Sequence, residues 1–389
     1  MKFVYVMLIS FFSIYSQGFN KIYNENVNYD SIESIKKSYK SYVSNEIFLK
    51  KISQEYDFVT YHSIGTTHNG LEIPAINITS TNEKDKISIL FNCAHHANEL
   101  ISTEHCYDII YQIINDKKLN YLDYVSIWIV PIVNPDGSKI FWEQSINKGR
   151  KNSKDVDLNR NYPFMWGIGK GSSNNKNHQF YRGIHPLSES ESSAISELAK
   201  NNRFLFSVSY HADGKKLLIP YTINNVINPN ENYPKIFGEK IAGLINYKPV
   251  KNLYPVNGTD QDYLYFKYGT VAFLLESEKN NPPYSEVNDV VIKTTELWRE
   301  MINEAIFGNK IFLKITDEDE KPLIAKIEIE EIKHYNGEEY YSSLKGLFYR
   351  MVLNENYTVS ISAKNYITQK IICKSTKNND LKIIKMKSY

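Results

Sequence analysis

Short apolar runs separated by helix-like segments constrain the fold of this chain more than any other feature. Five runs have the length of buried strands, and they comprise residues 73–78, 87–91, 124–130, 204–210 and 270–275. After the second run, apolar residues recur at helical spacing, which predicts a helix over residues 99–115. Strands that alternate with helices indicate an α/β core on a mostly parallel or mixed sheet.

The pattern changes after Gly308. A helical pattern over residues 291–305 ends there, and a glycine suits the C-terminus of a helix. Beyond it apolar and polar residues alternate, as in residues 311–315, and turn signals separate the runs. Such alternation predicts a small all-β sandwich. We therefore expect an α/β unit over residues 19–308 and a β-domain over residues 309–389.

The N-terminus has the features of a signal peptide. Lys2 precedes an apolar run over residues 3–14, which is shorter than the roughly 20 apolar residues that span a bilayer. We expect cleavage near Gly18 and secretion to the extracellular or periplasmic space, although a buried N-terminal strand is the alternative. No other segment is apolar enough to predict a transmembrane anchor.

Composition excludes some functions and leaves others open. The 46 basic residues nearly balance the 44 acidic ones, for a net charge of +2, which argues against a nucleic-acid-binding protein. The three cysteines, Cys93, Cys106 and Cys373, lack the spacing of a disulfide framework. A single bridge between Cys93 and Cys106 remains open.

Three residues are candidate metal ligands. His96 and Glu99 follow a predicted strand, and positions three apart share one face of a helix. Zinc accepts such nitrogen and oxygen ligands, but this short motif is common and is weak by itself. His211 ends the run over residues 204–210, at the kind of strand terminus where α/β enzymes place their sites. A hydrogen-bonded structural histidine is the alternative there.

Other polar residues are candidates for substrate binding or catalysis. Asn159 and Arg160 are adjacent, and the planar guanidinium of arginine matches a carboxylate. The alternative is an ion pair in a surface loop, and Arg150 has a similar alternative in a solvated basic cluster. Glu276 ends the run over residues 271–275, where a carboxylate is costly unless it is paired or functional.

Taken together, the motifs resemble the zinc metallocarboxypeptidase family. In chain order they are His96-x-x-Glu99, Pro131-x-x-Asn134-Pro135-Asp136-Gly137, Arg150, Asn159-Arg160, Tyr181-Arg182-Gly183, His211, Tyr254 and Glu276. The resemblance covers about residues 29–307 and implies a mixed eight-stranded sheet with helices on both faces. Asn98 and the C-terminal β-domain are similar to the regulatory branch, named for carboxypeptidases N and E, whose β-domain resembles transthyretin.

The resemblance also implies a mechanism. One zinc ion per catalytic domain would be held by His96, Glu99 and His211. Glu276 would take a proton from the zinc-activated water and pass it to the leaving amine, and Arg150 would stabilise the developing oxyanion. The residues implied to bind substrate are Asn159, Arg160, Tyr254 and Gln261. The implied substrate is the C-terminus of a peptide or protein, and we expect a monomer.

Substrate preference is less defined. Members of the regulatory branch that remove Lys or Arg carry an acidic residue shortly after the Tyr-Pro turn that follows the third metal ligand. This chain has Thr222 there, in the segment Ile219-Pro220-Tyr221-Thr222. Asp213 and Asp260 are candidate substitutes, so we expect only a slight preference for basic residues. The alternatives are a peptidase that trims peptidoglycan peptides on the same scaffold, a deacylase resembling aminoacylases, and a non-enzymatic binding protein. The complete motif set argues against the last two.

Overall fold

The computed structural model describes most of the chain after residue 30. The described ranges are residues 31–82, 85–144, 148–230, 232–253, 255–335, 337–377 and 380–389. The predicted signal peptide and Tyr254 therefore lie outside the described residues. Across these ranges, no helix combines the length and the apolar character needed to cross a membrane.

Strands alternate with helices up to Phe307, and in the described residues only strands follow. The α-helices are α1 (Tyr42–Glu55), α2 (Leu100–Ile114), α3 (Pro135–Glu143), α4 (Ser190–Asn202), α5 (Asn232–Leu244), α6 (Asp260–Tyr268), α7 (Tyr284–Val291) and α8 (Thr295–Phe307). The strands of the α/β part are β1 (Val59–Thr66), β2 (Glu72–Ile78), β3 (Ile87–Cys93), β4 (Val125–Val130), β5 (Phe204–Ala212), β6 (Lys216–Leu218), β7 (Lys248–Val250) and β8 (Val271–Ser277). The later strands are β9 (Lys310–Thr316), β10 (Lys326–Ile329), β11 (Tyr340–Tyr341), β12 (Leu347–Met351), β13 (Asn356–Ser362), β14 (Gln369–Lys374) and β15 (Lys382–Lys385).

The first eight strands form one mixed sheet, which confirms the prediction. Their order is β1-β2-β4-β3-β5-β8-β6-β7. Strand β3 runs parallel to β4 and β5, and β5 runs parallel to β8. The pairs β1–β2, β2–β4 and β6–β8 are antiparallel. Because β3, β5 and β8 are parallel neighbours, their C-terminal ends meet at one edge of the sheet.

Helices cover both faces of this sheet. Successive side chains of a strand point to opposite faces, and Leu90 and Phe91 of β3 accordingly belong to two different apolar cores. Helices α1, α2, α5 and α8 contribute to the core that contains Phe91, and α4 and α6 contribute to the other. Burial on both faces explains why the central strands are almost continuously apolar.

The sequence Asn134-Pro135-Asp136-Gly137 is typical of a turn, but the structure begins helix α3 there. The side chain of Asn134 caps the helix by accepting a hydrogen bond from Gly137 N at 2.8 Å. Pro135 occupies the first helical turn, where its missing N–H costs nothing. The Asn134 amide also donates to His95 O at 3.1 Å, which ties this helix to the segment that carries His96.

Cys93 and Cys106 form a disulfide, which resolves the question that the sequence leaves open. The bridge joins the end of β3 to the middle of α2. It therefore closes a short loop around the segment with His96 and Glu99, and it restricts the unfolded chain. Cys373 is a buried free thiol.

The C-terminal strands form two small sheets. One has the order β11-β10-β13-β14 and the other has the order β12-β9-β15. All neighbouring pairs are antiparallel except β9 and β15, which are parallel. Residues from both sheets share an apolar core that includes Leu313, Phe348 and Val359. This arrangement agrees with the predicted sandwich.

Candidate active site

Four of the predicted residues meet at the edge where β3, β5 and β8 end. His96 and Glu99 follow β3, and His211 lies near the end of β5. Glu276 lies near the end of β8 and is the register partner of His211. Parallel strands place their carboxyl ends together, and open α/β sheets bind ligands outside those ends.

The three candidate metal ligands are close together. His96 Nδ1 and Glu99 Oε1 are 2.8 Å apart, and Glu99 Oε2 and His211 Nδ1 are 3.1 Å apart. One ligand atom from each side chain lies within 4.8 Å of the others, and all three residues are buried. Two imidazoles and one carboxylate are a donor set that catalytic zinc sites use. The residues therefore fit a zinc ion.

A cavity of about 260 Å³ opens over this cluster. Its lining residues are His96, Glu99, Arg150, Asn159, Arg160, Phe180, His211, Ala212, Asp213, Leu218, Thr222, Val256, Thr259, Gln261, Leu274 and Glu276. Every residue within the described ranges that the family resemblance assigns to metal binding, catalysis or substrate binding is among them. Tyr254 is outside those ranges, but Val256, two residues later, lines the cavity.

Glu276 has the electrostatic setting of a proton acceptor. Burial raises the pKa of its carboxyl group to about 7, and the negative charge of Glu99 acts in the same direction. His211, Arg150 and Lys216 oppose this rise. A carboxyl group whose pKa lies near neutrality can both accept and donate a proton at physiological pH.

Asp157 is a site residue that the sequence analysis did not single out. Its Oδ1 is 3.0 Å from His96 Nε2, and its Oδ2 accepts a hydrogen bond from Arg150 Nη2 at 2.7 Å. Burial opposes ionisation of Asp157, but Arg150 and His96 outweigh it and hold its pKa well below the usual range. This carboxylate favours the His96 tautomer with hydrogen on Nε2, which leaves Nδ1 for a metal.

Replacing Asp157 with Asn is expected to weaken zinc binding by about 10- to 100-fold, the range found when the hydrogen-bond partner of a ligating histidine is removed. The amide has the same shape but lacks the charge that fixes the orientation of His96. Competition with a chelating dye measures the affinity. An affinity within about twofold of the wild type would show that Asp157 does not support His96.

Phe180 is a second residue that the sequence analysis missed. Its ring lies 5.2 Å from the Arg150 guanidinium carbon and 5.2 Å from that of Arg160. Both contacts are within the range of cation–π interaction. A single aromatic residue in a polar loop gives no pattern, so only the folded chain reveals that it lies between two cavity arginines.

Hydrogen bonds to neighbouring residues hold the predicted substrate-binding residues Asn159, Arg160 and Gln261 in place. Asn159 Oδ1 accepts a hydrogen bond from Asp260 N at 2.9 Å. Arg160 donates from Nε to Gly171 O at 3.0 Å and from Nη1 to Asn159 O at 2.7 Å. Gln261 Nε2 donates to Thr222 Oγ1 at 3.1 Å across the cavity wall. These bonds fix the positions of the side chains before any ligand binds.

A second group of potential metal ligands lies outside the cavity. His68, Glu189 and Glu191 have ligand atoms within 4.8 Å of one another, but none of them lines the cavity. His68 is exposed, and Glu189 and Glu191 both accept hydrogen bonds from Asn152 Nδ2. The buried group beside Glu276 is therefore the better candidate for a catalytic metal.

Glu191 in that second group predicts a pH-dependent stability. Burial raises its pKa to about 7, and Asp136 and Glu189 act in the same direction. This folded-state pKa exceeds the unfolded value of about 4.3. Protonation of Glu191 therefore stabilises the folded state fully at pH values below the unfolded pKa, and this stabilisation is lost as pH rises through about 7.

Glutamine does not titrate, so Glu191→Gln does not lose stability in this way as pH rises. The free energy of unfolding of the variant minus that of the wild type is therefore expected to be higher at about pH 8 than at about pH 5, by on the order of 2 kcal/mol. Thermal unfolding at the two pH values measures this difference. Glu197→Gln, an exposed change on the same helix, serves as the control. The interpretation fails if both variants keep the pH profile of the wild type.

The comparisons with known proteins agree with this geometry. The family model described as zinc carboxypeptidase matches residues 46–296. A metallocarboxypeptidase A from Trichophyton rubrum is 30% identical over 256 residues, which cover 58% of this chain and 60% of that protein. Human carboxypeptidase O is 26% identical over 287 residues, which cover 64% of this chain and 76% of that protein. The chain thus spans about 60% of the length of the fungal relative.

Solved structures share the fold. The crystal structure of thrombin activatable fibrinolysis inhibitor matches with a TM-score of 0.67 at 19% sequence identity. The match covers 74% of this chain and 80% of the inhibitor chain. Carboxypeptidase A from Helicoverpa armigera has a TM-score of 0.65 at 20% identity, with coverages of 74% and 79%. Because the family model spans more than half of the sequence, this chain belongs to the zinc carboxypeptidase family.

Proposed function

We propose that this protein is a zinc-dependent exopeptidase that hydrolyses the C-terminal peptide bond of peptides or proteins. One observation carries the proposal. The candidate ligands His96, Glu99 and His211 share a single cavity with Glu276 and with the cationic side chains of Arg150 and Arg160. A metal-ligand set, a proton acceptor and a binding site for an anion are what such a reaction needs.

The proposed mechanism divides the reaction among the cavity residues. His96, Glu99 and His211 would hold the zinc ion, which would supply Lewis acidity to the substrate carbonyl group and to the attacking water. Glu276 takes a proton from the attacking water and delivers it to the amine that leaves. Arg150, at the cavity wall, donates hydrogen bonds to the oxygen on which negative charge develops.

The same cavity has groups that suit a free carboxylate. Arg160 presents a planar guanidinium to the cavity, and Asn159 adds an amide donor beside it. We assign Tyr254 to the same task because its position in the sequence matches the family motif. A site for a terminal carboxylate in the cavity that also contains His96, Glu99 and His211 would limit hydrolysis to the last peptide bond.

Blocked dipeptides with a free C-terminal carboxylate, and the same dipeptides as amides, test the proposal. We expect hydrolysis of the free acids only, because an amide cannot form the charged pair with Arg160. A zinc chelator is expected to stop the reaction, and added zinc is expected to restore it. Equal rates on acids and amides would refute the exopeptidase assignment.

A preference for basic C-terminal residues is the finer part of the proposal. Asp213 is an exposed carboxylate at the cavity, which supports a modest preference for Lys or Arg. Thr222 stands at the wall without a charge, and Asp260 is buried and not among the lining residues. Peptides ending in Lys, Arg, Phe, Leu or Glu measure the preference, and equal rates would remove it.

We also propose that the protein is secreted and that its β-domain resembles that of the regulatory branch. The apolar run near the N-terminus supports secretion, as does the Cys93–Cys106 disulfide, because such bridges persist in oxidising compartments.

The separate apolar core after residue 308 supports a domain boundary there. The matched family model ends at residue 296, before this domain.

A further inference from the structure

Tyr335, in the loop between β10 and β11 of the small domain, contacts the α/β unit beside the cavity. Its ring centroid lies 5.9 Å from that of Phe164, 5.7 Å from that of Tyr221 and 6.4 Å from that of Phe266. All three ring pairs meet edge to face, a favourable geometry for aromatic side chains. Phe164 also stacks on Tyr221 at 4.4 Å. The small domain thus completes an aromatic cluster.

Each ring that Tyr335 touches belongs to a segment that carries a cavity residue. Tyr221 directly precedes Thr222, and Phe266 lies on α6, the helix that carries Gln261. Phe164 lies four residues after Arg160. Its carbonyl oxygen accepts a hydrogen bond from Gly258 N at 3.0 Å, in the loop just before Thr259. The Tyr335 side chain of the small domain therefore packs against three segments that contribute to the cavity wall.

Glu338 adds a polar contact from the same loop. Its Oε1 accepts a hydrogen bond from Tyr221 Oη, and its Oε2 accepts one from Tyr335 N at 2.8 Å. The Glu338 side chain is only 3% exposed. A buried carboxylate is costly unless it is hydrogen-bonded, so these bonds tie the loop to Tyr221.

The contact continues from Tyr221 to the cavity through the backbone. Asp262 on α6 accepts hydrogen bonds from Thr222 N at 2.8 Å and from Ile223 N at 3.2 Å. Thr222 Oγ1 in turn accepts a hydrogen bond from Gln261 Nε2. A shift of Tyr221 would therefore disturb the wall residues Thr222 and Gln261.

We propose that Tyr335 and Glu338 of the small domain are positioning residues for the cavity wall formed by Thr222 and Gln261. The small domain then controls how the cavity receives the substrate side chain and does not only stabilise the fold. The effect on substrate affinity rests on the proposed function, whereas the effect on the wall itself does not.

Tyr335→Ala tests the proposal by two measurements on the full chain. The loss of three aromatic contacts is expected to speed hydrogen exchange at the Thr222 and Ile223 amides by about tenfold or more. For the free-acid dipeptides, KM is expected to rise by about tenfold while kcat changes by less than about threefold. Tyr335→Phe retains the ring and is expected to behave as the wild type.

Tyr349→Phe is a matched control at the interface between the same two domains. Tyr349 Oη donates to Asn202 O at 2.8 Å and accepts from Ser88 N at 3.2 Å. Ser88 lies near the start of β3, at the opposite edge of the sheet from His96. This change is expected to lower the melting temperature but to leave the Thr222 exchange rate and KM unchanged.

The outcomes separate the proposal from the proposed function. Wild-type exchange rates at Thr222 and Ile223 in Tyr335→Ala would overturn it, as would equal acceleration in Tyr349→Phe. If the wild type hydrolyses no peptide, the proposed function fails, and the exchange rates still decide the positioning role. If Tyr335→Ala does not fold, Glu338→Ala takes its place, with faster exchange expected at the same two amides.

Discussion

Replacing Glu276 with Gln is expected to lower kcat by a factor on the order of 10³ while zinc stays bound, since positioned acid–base groups contribute roughly 10²- to 10⁴-fold. Glutamine has the shape of glutamate but cannot take a proton from water. Glu276 lines the cavity beside His211, and burial raises the pKa of its carboxyl group to about 7. It is not one of the three clustered ligands, so its loss leaves the metal site intact.

The measurement is steady-state hydrolysis of free-acid dipeptides, together with the zinc content of each purified variant. Glu278→Gln is the matched control, because Glu278 is two residues away and forms ion pairs with Lys215 and Lys293 outside the cavity. The control is expected to keep activity close to that of the wild type. Activity retained by Glu276→Gln would refute the assigned role of Glu276.

The position of the site was predictable because it depends on strand ends. The apolar runs that end near His211 and Glu276 can be identified in the sequence. Parallel strands place their C-terminal ends at the same edge of the sheet. The structure brings both residues to the cavity with His96 and Glu99, as the motif order indicates. Periodicity and motif spacing therefore carry most of the information about the ligand set.

The supporting residues were not predictable, because their contacts depend on loops. Asp157 meets His96 from a residue 61 positions away, and Phe180 lies between two arginines that are also distant in sequence. No local pattern specifies such contacts. In the Asn134 segment the local pattern is present but ambiguous, because the sequence suits a turn and a helix N-terminus equally well. The hydrogen bond to the His95 segment favours the helix.

The small domain illustrates the difference between an element and its contacts. Alternating apolar residues predict its strands, and the structure has strands at residues 310–316 and 356–362. The same pattern gives no indication that Tyr335 reaches the aromatic cluster beside the cavity. Sequence periodicity describes which face of a strand is buried, but it does not describe which surface of another domain a loop will contact.

Replacing His211 with Ala is expected to weaken zinc binding by more than about 100-fold. Loss of a hydrogen-bond partner of a metal ligand already weakens binding by up to about 100-fold, and loss of a ligand itself is expected to weaken it further. Removal of His211 Nδ1, which lies 3.1 Å from Glu99 Oε2, leaves only His96 and Glu99 in the cluster. Catalytic zinc sites use three protein ligands, so two are insufficient for tight binding.

His68→Ala is the decisive control, since His68 belongs to the other group that could hold a metal, with Glu189 and Glu191. Zinc that binds the folded protein raises its stability by about 2.7 kcal/mol at 100 times the dissociation constant. We expect added zinc to raise the melting temperature of His68→Ala as it does that of the wild type, and to leave that of His211→Ala unchanged. Each variant is compared with itself without zinc, so the effect of the substitution on folding cancels. The reverse pattern would move the zinc site to His68 and would separate it from Glu276 and the substrate cavity.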